Sequence, residues 1–315
     1  MMKNYIIKRL LSLFFVLLGV TFLTFLITDL APSDSAEMYY LSRGITPSSE
    51  TLENTRKEMG LDKPVIERYV HWLDEAMHGD FGESYHYGNS VIEQMGQKLP
   101  NTLKLAFLSL SIVVAVSIPL GVLTAVYQNK WIDYFIRFLT FISISIPNFW
   151  LGLLLIYLFS VKLGIFNVIS STDLKGMILP MMTLALPLIG AYIRQIRTAV
   201  LEELNKDYVV GALSRGLSQR EIIFKHVLPN TFSSIVTLLG LSIGHLLGGT
   251  AIVETIFSYQ GIGSMIVEAI RVRDYPIIQG YVVWMAVIYV CVNLIVDQLC
   301  FMMDPKMRLS KGERL

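Results

Sequence analysis

Six stretches of this chain are apolar for long enough to cross hydrocarbon, which takes about 20 residues as a helix. They run near 10–30, 103–126, 132–161, 177–193, 231–257 and 277–303. Pro119, Pro147, Pro180 and Pro187 fall inside them. Membrane helices tolerate such prolines because neighbouring helices satisfy the freed backbone groups. Composition agrees: 53% of the residues are hydrophobic, 16% are charged and mean hydropathy is +0.55, whereas a soluble domain carries roughly a quarter charged residues. The expected fold is an all-α integral membrane protein with six transmembrane helices.

Lys3, Lys8 and Arg9 precede the first stretch, as in a signal peptide. Its run of about 20 apolar residues exceeds the usual 7–15 of a cleaved signal, so retention as a membrane helix is expected. Basic residues set the orientation. With the N-terminus inside, the inner segments hold Lys130, Arg137, Arg194, Arg197, Lys206, Arg215, Arg220, Lys225, Lys306 and Arg308, among others. The short outer loops then keep only Lys162, Lys175, Arg271 and Arg273. Both termini are expected in the cytoplasm.

This divides the chain into an N-terminal helix (1–30), an outer subdomain (31–98), a five-helix core (99–303) and a cytoplasmic tail (304–315). Within the outer subdomain, Ser48 or Ser49 can cap a helix reaching Met59, with Gly60 as its stop. A second helix is expected from Val65 to His78, after Pro64; both follow ordinary helix punctuation. Residues 79–90, rich in glycine and aromatics, read as a packed loop.

Cys291 and Cys300 share one apolar stretch. Nine helical residues set them roughly 13 Å apart, too far for a disulfide, whose Cα atoms lie within about 7 Å. The net charge of +1 and the lack of basic, aromatic-interleaved blocks give no sign of nucleic-acid binding. No G-x-x-x-x-G-K-[ST] loop for ATP phosphates, no H-E-x-x-H and no G-x-S-x-G is present, so neither an enzymatic activity nor a cofactor is expected. Glu254, Asp297 and His245 are among the few ionisable residues inside the spans. Ion-coupled transporters depend on such groups, and their scarcity points to energy supplied from outside the chain.

The segment 205–229 is the most informative. It reads Asp207-Tyr-Val-Val-Gly-Ala-Leu-Ser-Arg-Gly216, then Leu217-Ser-Gln-Arg-Glu-Ile-Ile-Phe-Lys-His226-Val-Leu-Pro-Asn230. A short amphipathic helix, a glycine turn and a second helix ending at Pro229 would make an inward ledge for a soluble partner. A solvated basic loop fits the same residues equally well.

This segment resembles the coupling loop of ABC-importer permeases: Glu-Ala-Ala, three residues, Gly, nine residues, Ile-x-Leu-Pro. Ala212, Gly216 and Leu228-Pro229 fall on the pattern, while Val210, Gly211 and His226 depart from it. The resemblance is to the dipeptide, oligopeptide and nickel permeases. It extends through Gly60-Leu-Asp-Lys-Pro64, Gly79-Asp-Phe-Gly-Glu-Ser84, Leu99-Pro-Asn-Thr-Leu103, Ser145-Ile-Pro-Asn-Phe-Trp-Leu-Gly152, Gly261-Ile-Gly263 and Arg273-Asp-Tyr-Pro276.

The resemblance implies a type I importer permease fold in the cell membrane of a prokaryote. It also implies a second homologous permease, two cytoplasmic ATP-binding subunits and an outer solute-binding protein as partners, besides membrane lipid. Ala212, Arg215, Gly216 and Leu217 then belong to the ATPase contact. The segments Arg43 to Arg56 and Ile243 to Gly249 look closer to nickel permeases, so nickel is the expected solute, with peptides as the alternative. A polytopic membrane enzyme fits the spans but lacks a catalytic set.

Gly240, Gly244 and Gly248 recur every four residues and share one helix face, a spacing that lets membrane helices approach closely. They are expected to pack at the two-permease interface or the pore, or else within the chain. His245, beside them, is a candidate passing ligand for nickel or a packing residue. His71, His78 and His86 are candidates for a weak metal stop at the pore mouth, or else surface contacts. At about 1.5 Å per residue His71 and His78 stand roughly 10 Å apart, too far for one metal to take both.

Overall fold

A computed structural model describes residues 2–30, 34–41 and 43–303; the expected tail 304–315 lies outside the described residues. Thirteen α-helices account for most of them: α1 (Met2–Asp29), α2 (Ser35–Leu41), α3 (Ser49–Glu58), α4 (Val65–Met77), α5 (Val91–Val126), α6 (Trp131–Ser145), α7 (Asn148–Leu155), α8 (Leu174–Leu204), α9 (Asp207–Ser214), α10 (Gln219–Glu221), α11 (Leu228–Ile256), α12 (Ile262–Val272) and α13 (Tyr275–Met303). Two π-helical turns join them, Ile156–Lys162 after α7 and Ile222–Val227 after α10.

Among the described residues, four helices are long and apolar enough to cross a membrane: 11–28, 91–126, 174–204 and 275–300. A fifth expected span, near 132–161, is not one straight helix. α6 and the segment Asn148–Lys162 meet at 100°. The cause is Pro147, whose ring forces the preceding residue out of the helical region; Ile146 is extended, at φ −87° and ψ 124°. Pro180 and Pro187, by contrast, sit inside the unbroken α8. The remaining expected span corresponds to α11, a 29-residue helix.

The described residues form two compact units, those within 2–102 together with 260–291, and 103–259 together with 292–303. The unit holding residues 34–98 also takes in α1, α12 and the start of α13.

In the first unit, α3 and α4 follow the punctuation read from sequence. The Ser48 hydroxyl accepts from the Thr51 N–H at 3.1 Å, capping α3. Gly60 follows at φ +65°, in the left-handed region that favours glycine. α4 packs on α1 through Tyr69 and Trp72, whose rings stand 5.2 and 5.3 Å from that of Phe25. The Tyr69 hydroxyl donates to the Leu18 carbonyl at 3.1 Å. Helices α2 and α12 were not read from sequence.

In the second unit, α8 is the central helix. Gly121 of α5 lies so close to it that a Cβ there would come within 2.7 Å of Ile196. A Cβ at Gly190 would meet the Thr140 carbonyl of α6 at 3.0 Å. Ile196, Val200 and Tyr192 join Val209, Ala212, Ile222 and Val227 in one buried cluster. That cluster anchors the segment after α8 to the helices. Cys291 and Cys300 are free, and the Cys300 thiol lies 3.4 Å from the Thr237 hydroxyl.

Candidate functional site

Helix α9 is amphipathic, and the second unit buries only one of its faces. Val209 and Ala212 are 4% and 2% exposed, while Val210 and Leu213 are 60% and 53% exposed. Its last turn ends in a Schellman motif. The Gly216 N–H donates to the Leu213 carbonyl at 2.9 Å, and the Leu217 N–H to the Ala212 carbonyl at 3.2 Å. This closure needs a left-handed residue, and Gly216 supplies it at φ +82°. Nothing lies within 4 Å of a Cβ built there. The glycine is required by the backbone angle, not by lack of room.

Beyond the turn, the Ser218 hydroxyl accepts from the Glu221 N–H at 3.3 Å and caps α10. Lys225 lies 3.1 Å from Glu221 and, with the Ser218 N-cap, holds that carboxyl below its ordinary range. At the head of α9, Glu203 bonds Lys206 and raises its ammonium pKa. The Tyr208 hydroxyl donates to the other Glu203 oxygen at 3.0 Å. Ile222, Ile223 and Val227 turn inward, and Phe224 is 60% exposed.

The second helix does not end at Pro229. The π-turn Ile222–Val227 runs straight into α11, with Pro229 in its first turn. Proline lacks an N–H, which the first turn of a helix does not need.

The expected contact residues therefore divide. Arg215 and Gly216 are exposed, Leu217 is half-buried against the core, and Ala212 is buried in it. Val210, Leu213, Arg215 and Phe224 are among the exposed side chains of the ledge. The sequence signal for Val210 and Leu213 is their i, i+3 spacing, one residue on from the like-spaced Val209 and Ala212.

The glycine face of α11 divides as well. A Cβ at Gly240 would come within 2.5 Å of Val296 of α13, so this glycine serves packing within the chain. Gly248 is exposed, with nothing within 4 Å of a Cβ there. Gly244 is intermediate. The His245 side chain lies outside the described residues.

In the first unit, distant motifs meet. Asp274 is fully buried. It accepts a short hydrogen bond from the Ser84 hydroxyl, and further bonds from the Tyr85 and His86 N–H groups at 3.2 and 3.1 Å. Burial first, then the Asp274 charge, pushes the Tyr85 phenol up to about 12. Thr102 accepts from the Ile262 N–H at 2.9 Å, satisfying an orphan donor of α12, and Asn101 donates to the Gln260 carbonyl at 2.7 Å. The histidines stay apart in their roles. His71 lies 3.3 Å from Glu75, the His78 ring bonds the Asp74 carbonyl at 2.8 Å, and His86 stacks edge-on against Tyr87. Among the described residues, no three His, Cys, Asp or Glu side chains gather to hold a metal.

Several apolar helices of spanning length define a polytopic membrane protein, and an exposed helix-turn ledge follows α8. The family model of the binding-protein-dependent transport system inner membrane component matches residues 117–309, and the family's N-terminal model matches residues 1–106. The chain is 35% identical over 335 aligned positions to the probable D,D-dipeptide transport system permease protein of Escherichia coli K12, covering 97% of this chain and 98% of that one. It is 34% identical over 307 positions to the glutathione transport system permease protein of the same strain, covering 98% and 99%. Among solved structures, the inward-facing methionine ABC transporter MetNI matches with a TM-score of 0.56 at 17% identity, over 68% of this chain and 97% of that one; this likeness shows the fold.

The chain belongs to the family of binding-protein-dependent transport system inner membrane components. It is a permease subunit of an ABC importer, a multi-pass inner-membrane protein, and ATP is hydrolysed by partner ATPases rather than by this chain. The expectation of nickel is not supported: these relatives are named for a dipeptide and for glutathione.

Proposed function

We propose that this chain forms one half of the translocation path of a peptide importer, with α9 and its Gly216 turn as the element gripped by a cytoplasmic ATPase. The observation that carries the coupling role is the split burial of α9. One face is seated in the core cluster of α8, and the other leaves Val210 and Leu213 more than half exposed. An apolar pair held out on a structured helix fits a protein contact, and the cluster makes a push on α9 a push on α8. Full-length similarity to permeases named for a dipeptide and for glutathione supports peptides as the solute class.

The reading includes a second permease, two ATP-binding subunits and an outer binding protein, with six spans and both termini in the cytoplasm. ATP-driven closure of the ATPases moves the ledges, and the path between the two permeases changes the side to which it opens. Uptake of a labelled dipeptide and of radioactive nickel is to be compared in cells lacking their own systems and supplied with the complete importer. ATP-dependent dipeptide uptake is expected. Uptake of nickel alone would overturn the solute assignment.

A further inference from the structure

Helix α6 packs on α8 and buries only one narrow stripe, Asp133, Ile136 and Thr140. Most of its other side chains are exposed. Its first turns carry the residues that favour a membrane–water boundary. Trp131 and Tyr134 are exposed. The Lys130 ammonium and the Arg137 guanidinium stand 5.3 and 5.7 Å from the rings of Tyr127 and Tyr134. Further along, Phe138, Phe141 and Ile144 are exposed and wholly apolar. One end of α6 is therefore built for headgroup level, and the rest of this face for hydrocarbon.

A groove of about 680 Å³ follows the same face between α6 and α8. Arg137, Arg194 and Arg197 line it beside those three apolar side chains. The arginines are held as a group. The buried Asp133 carboxylate binds Arg197 at 2.8 Å and has Arg137 3.9 Å away. Asp133 meets Arg197, and the Thr140 carbonyl approaches Gly190. This antiparallel register brings Arg194, which is exposed, level with Arg137. Among the described residues that line the groove, none is acidic. The single carboxylate beneath three guanidiniums leaves the wall net basic.

We infer that this groove holds one anionic two-chain phospholipid. Its phosphate lies on Arg137 and Arg194, and an acyl chain runs along Phe138, Phe141 and Ile144. Charge selects the headgroup: choline or ethanolamine would bring an ammonium against guanidiniums with no acid to receive it. Helix α8 continues unbroken from Arg194 to Leu204, about 15 Å further on, where the ledge begins. The lipid thus sits beside the helix that carries the ledge. Its assignment to the cytoplasmic leaflet rests on the reading of the ledge above; the binding itself does not.

The test is native mass spectrometry of the complete importer in detergent, with phosphatidylglycerol and phosphatidylcholine of identical chains as probes. The wild type should retain phosphatidylglycerol in preference. A basic residue near a lipid surface contributes about fivefold, so Arg137→Gln with Arg194→Gln should weaken that binding roughly thirtyfold. Phosphatidylcholine binding should not change. Arg137→Lys with Arg194→Lys keeps the charge and should keep most of the preference. Copurification of each variant with the ATPases controls for assembly.

Equal retention of the two lipids by the wild type would overturn the proposal, and that result needs no variant. So would equal retention of phosphatidylglycerol by the wild type and the glutamine variant. Displacement by inorganic phosphate would make this a free-anion site, and displacement by trialanine would place it in the solute path; either overturns the lipid assignment. Lipid held by the isolated chain but not by the complete importer would also overturn it, by showing that another subunit covers the groove.

Discussion

Arg197 grips Asp133 with two parallel hydrogen bonds, Nε to Oδ1 at 2.9 Å and Nη2 to Oδ2 at 2.8 Å. The carboxylate is wholly buried, and the guanidinium is 17% exposed. The pair ties α6 to α8, and the Asn129 N–H adds a third bond to the same carboxylate at 3.0 Å. Fork-to-fork geometry of this kind is specific to arginine.

Breaking one side of such a pair strands a buried charge, at a cost of about 3–5 kcal/mol. Asp133→Asn should therefore lower the thermal stability of the detergent-solubilised protein clearly, and Arg197→Lys less so. Replacing both residues by leucine should cost less than Asp133→Asn alone. A milder single than double variant in a melting series would contradict this.

Gly216 should be replaceable in order of left-handed tolerance. A bulky residue pays about 1–2 kcal/mol to hold that backbone angle, so Gly216→Leu should loosen the Schellman turn and move Arg215. ATP hydrolysis should then persist while uptake falls at least severalfold. Gly216→Asn should keep most uptake, since Asn visits this region more readily. Equal uptake by both variants would show the angle to be unimportant.

Val210→Asp and Leu213→Asp should abolish copurification with the ATPases while leaving the protein inserted and folded. Ala212→Leu should act differently. It overfills the core cluster, at a cost of about 1–3 kcal/mol, and should lower melting temperature first. Pull-down and melting curves, run on the same preparations, separate the two effects.

Gly240→Val should destabilise the protein by driving a side chain into Val296, and Val296→Ala should restore much of the loss. Cysteine placed at Gly248, which faces open space, should crosslink to the second permease more readily than cysteine at Gly240. Crosslinks from position 240 with none from 248 would reverse this assignment.

Asp274→Ala should free the segment Ser84 to His86, which loses three bonds at once. Limited proteolysis should then cut near residues 84–90 faster than in the wild type. Unchanged cleavage would mean that the loop is held by other contacts.

Local chemistry was legible in the sequence and distant pairing was not. The Ser48 cap, the Gly60 stop and the start after Pro64 are each decided by a few neighbouring residues, and all three stand in the structure. Pro147 reads as a proline tolerated within one span, because nothing local says whether neighbours will rescue a span or let it bend. Asp133 and Arg197 are 64 residues apart, and Ser84 and Asp274 are 190 apart; no periodicity announces such partners. Pro229 was read as a stop, although in the first turn of a helix its missing N–H is harmless. Gly240 and Gly248 look alike on a helical wheel, and only Val296 distinguishes them. The nickel expectation rested on two short segments, Arg43 to Arg56 and Ile243 to Gly249, and full-length similarity to permeases named for a dipeptide and for glutathione gives it no support.

The π-turn Ile222–Val227 has a consequence for how force reaches the membrane. A π-turn holds one residue more than the α-turn it replaces, and one residue is about 100° of rotation and 1.5 Å of rise in an α-helix. The ledge and α11 are thus joined through a slipping gear rather than a rigid shaft. Relaxing that single turn would spin α11 about its own axis without requiring the ledge to travel.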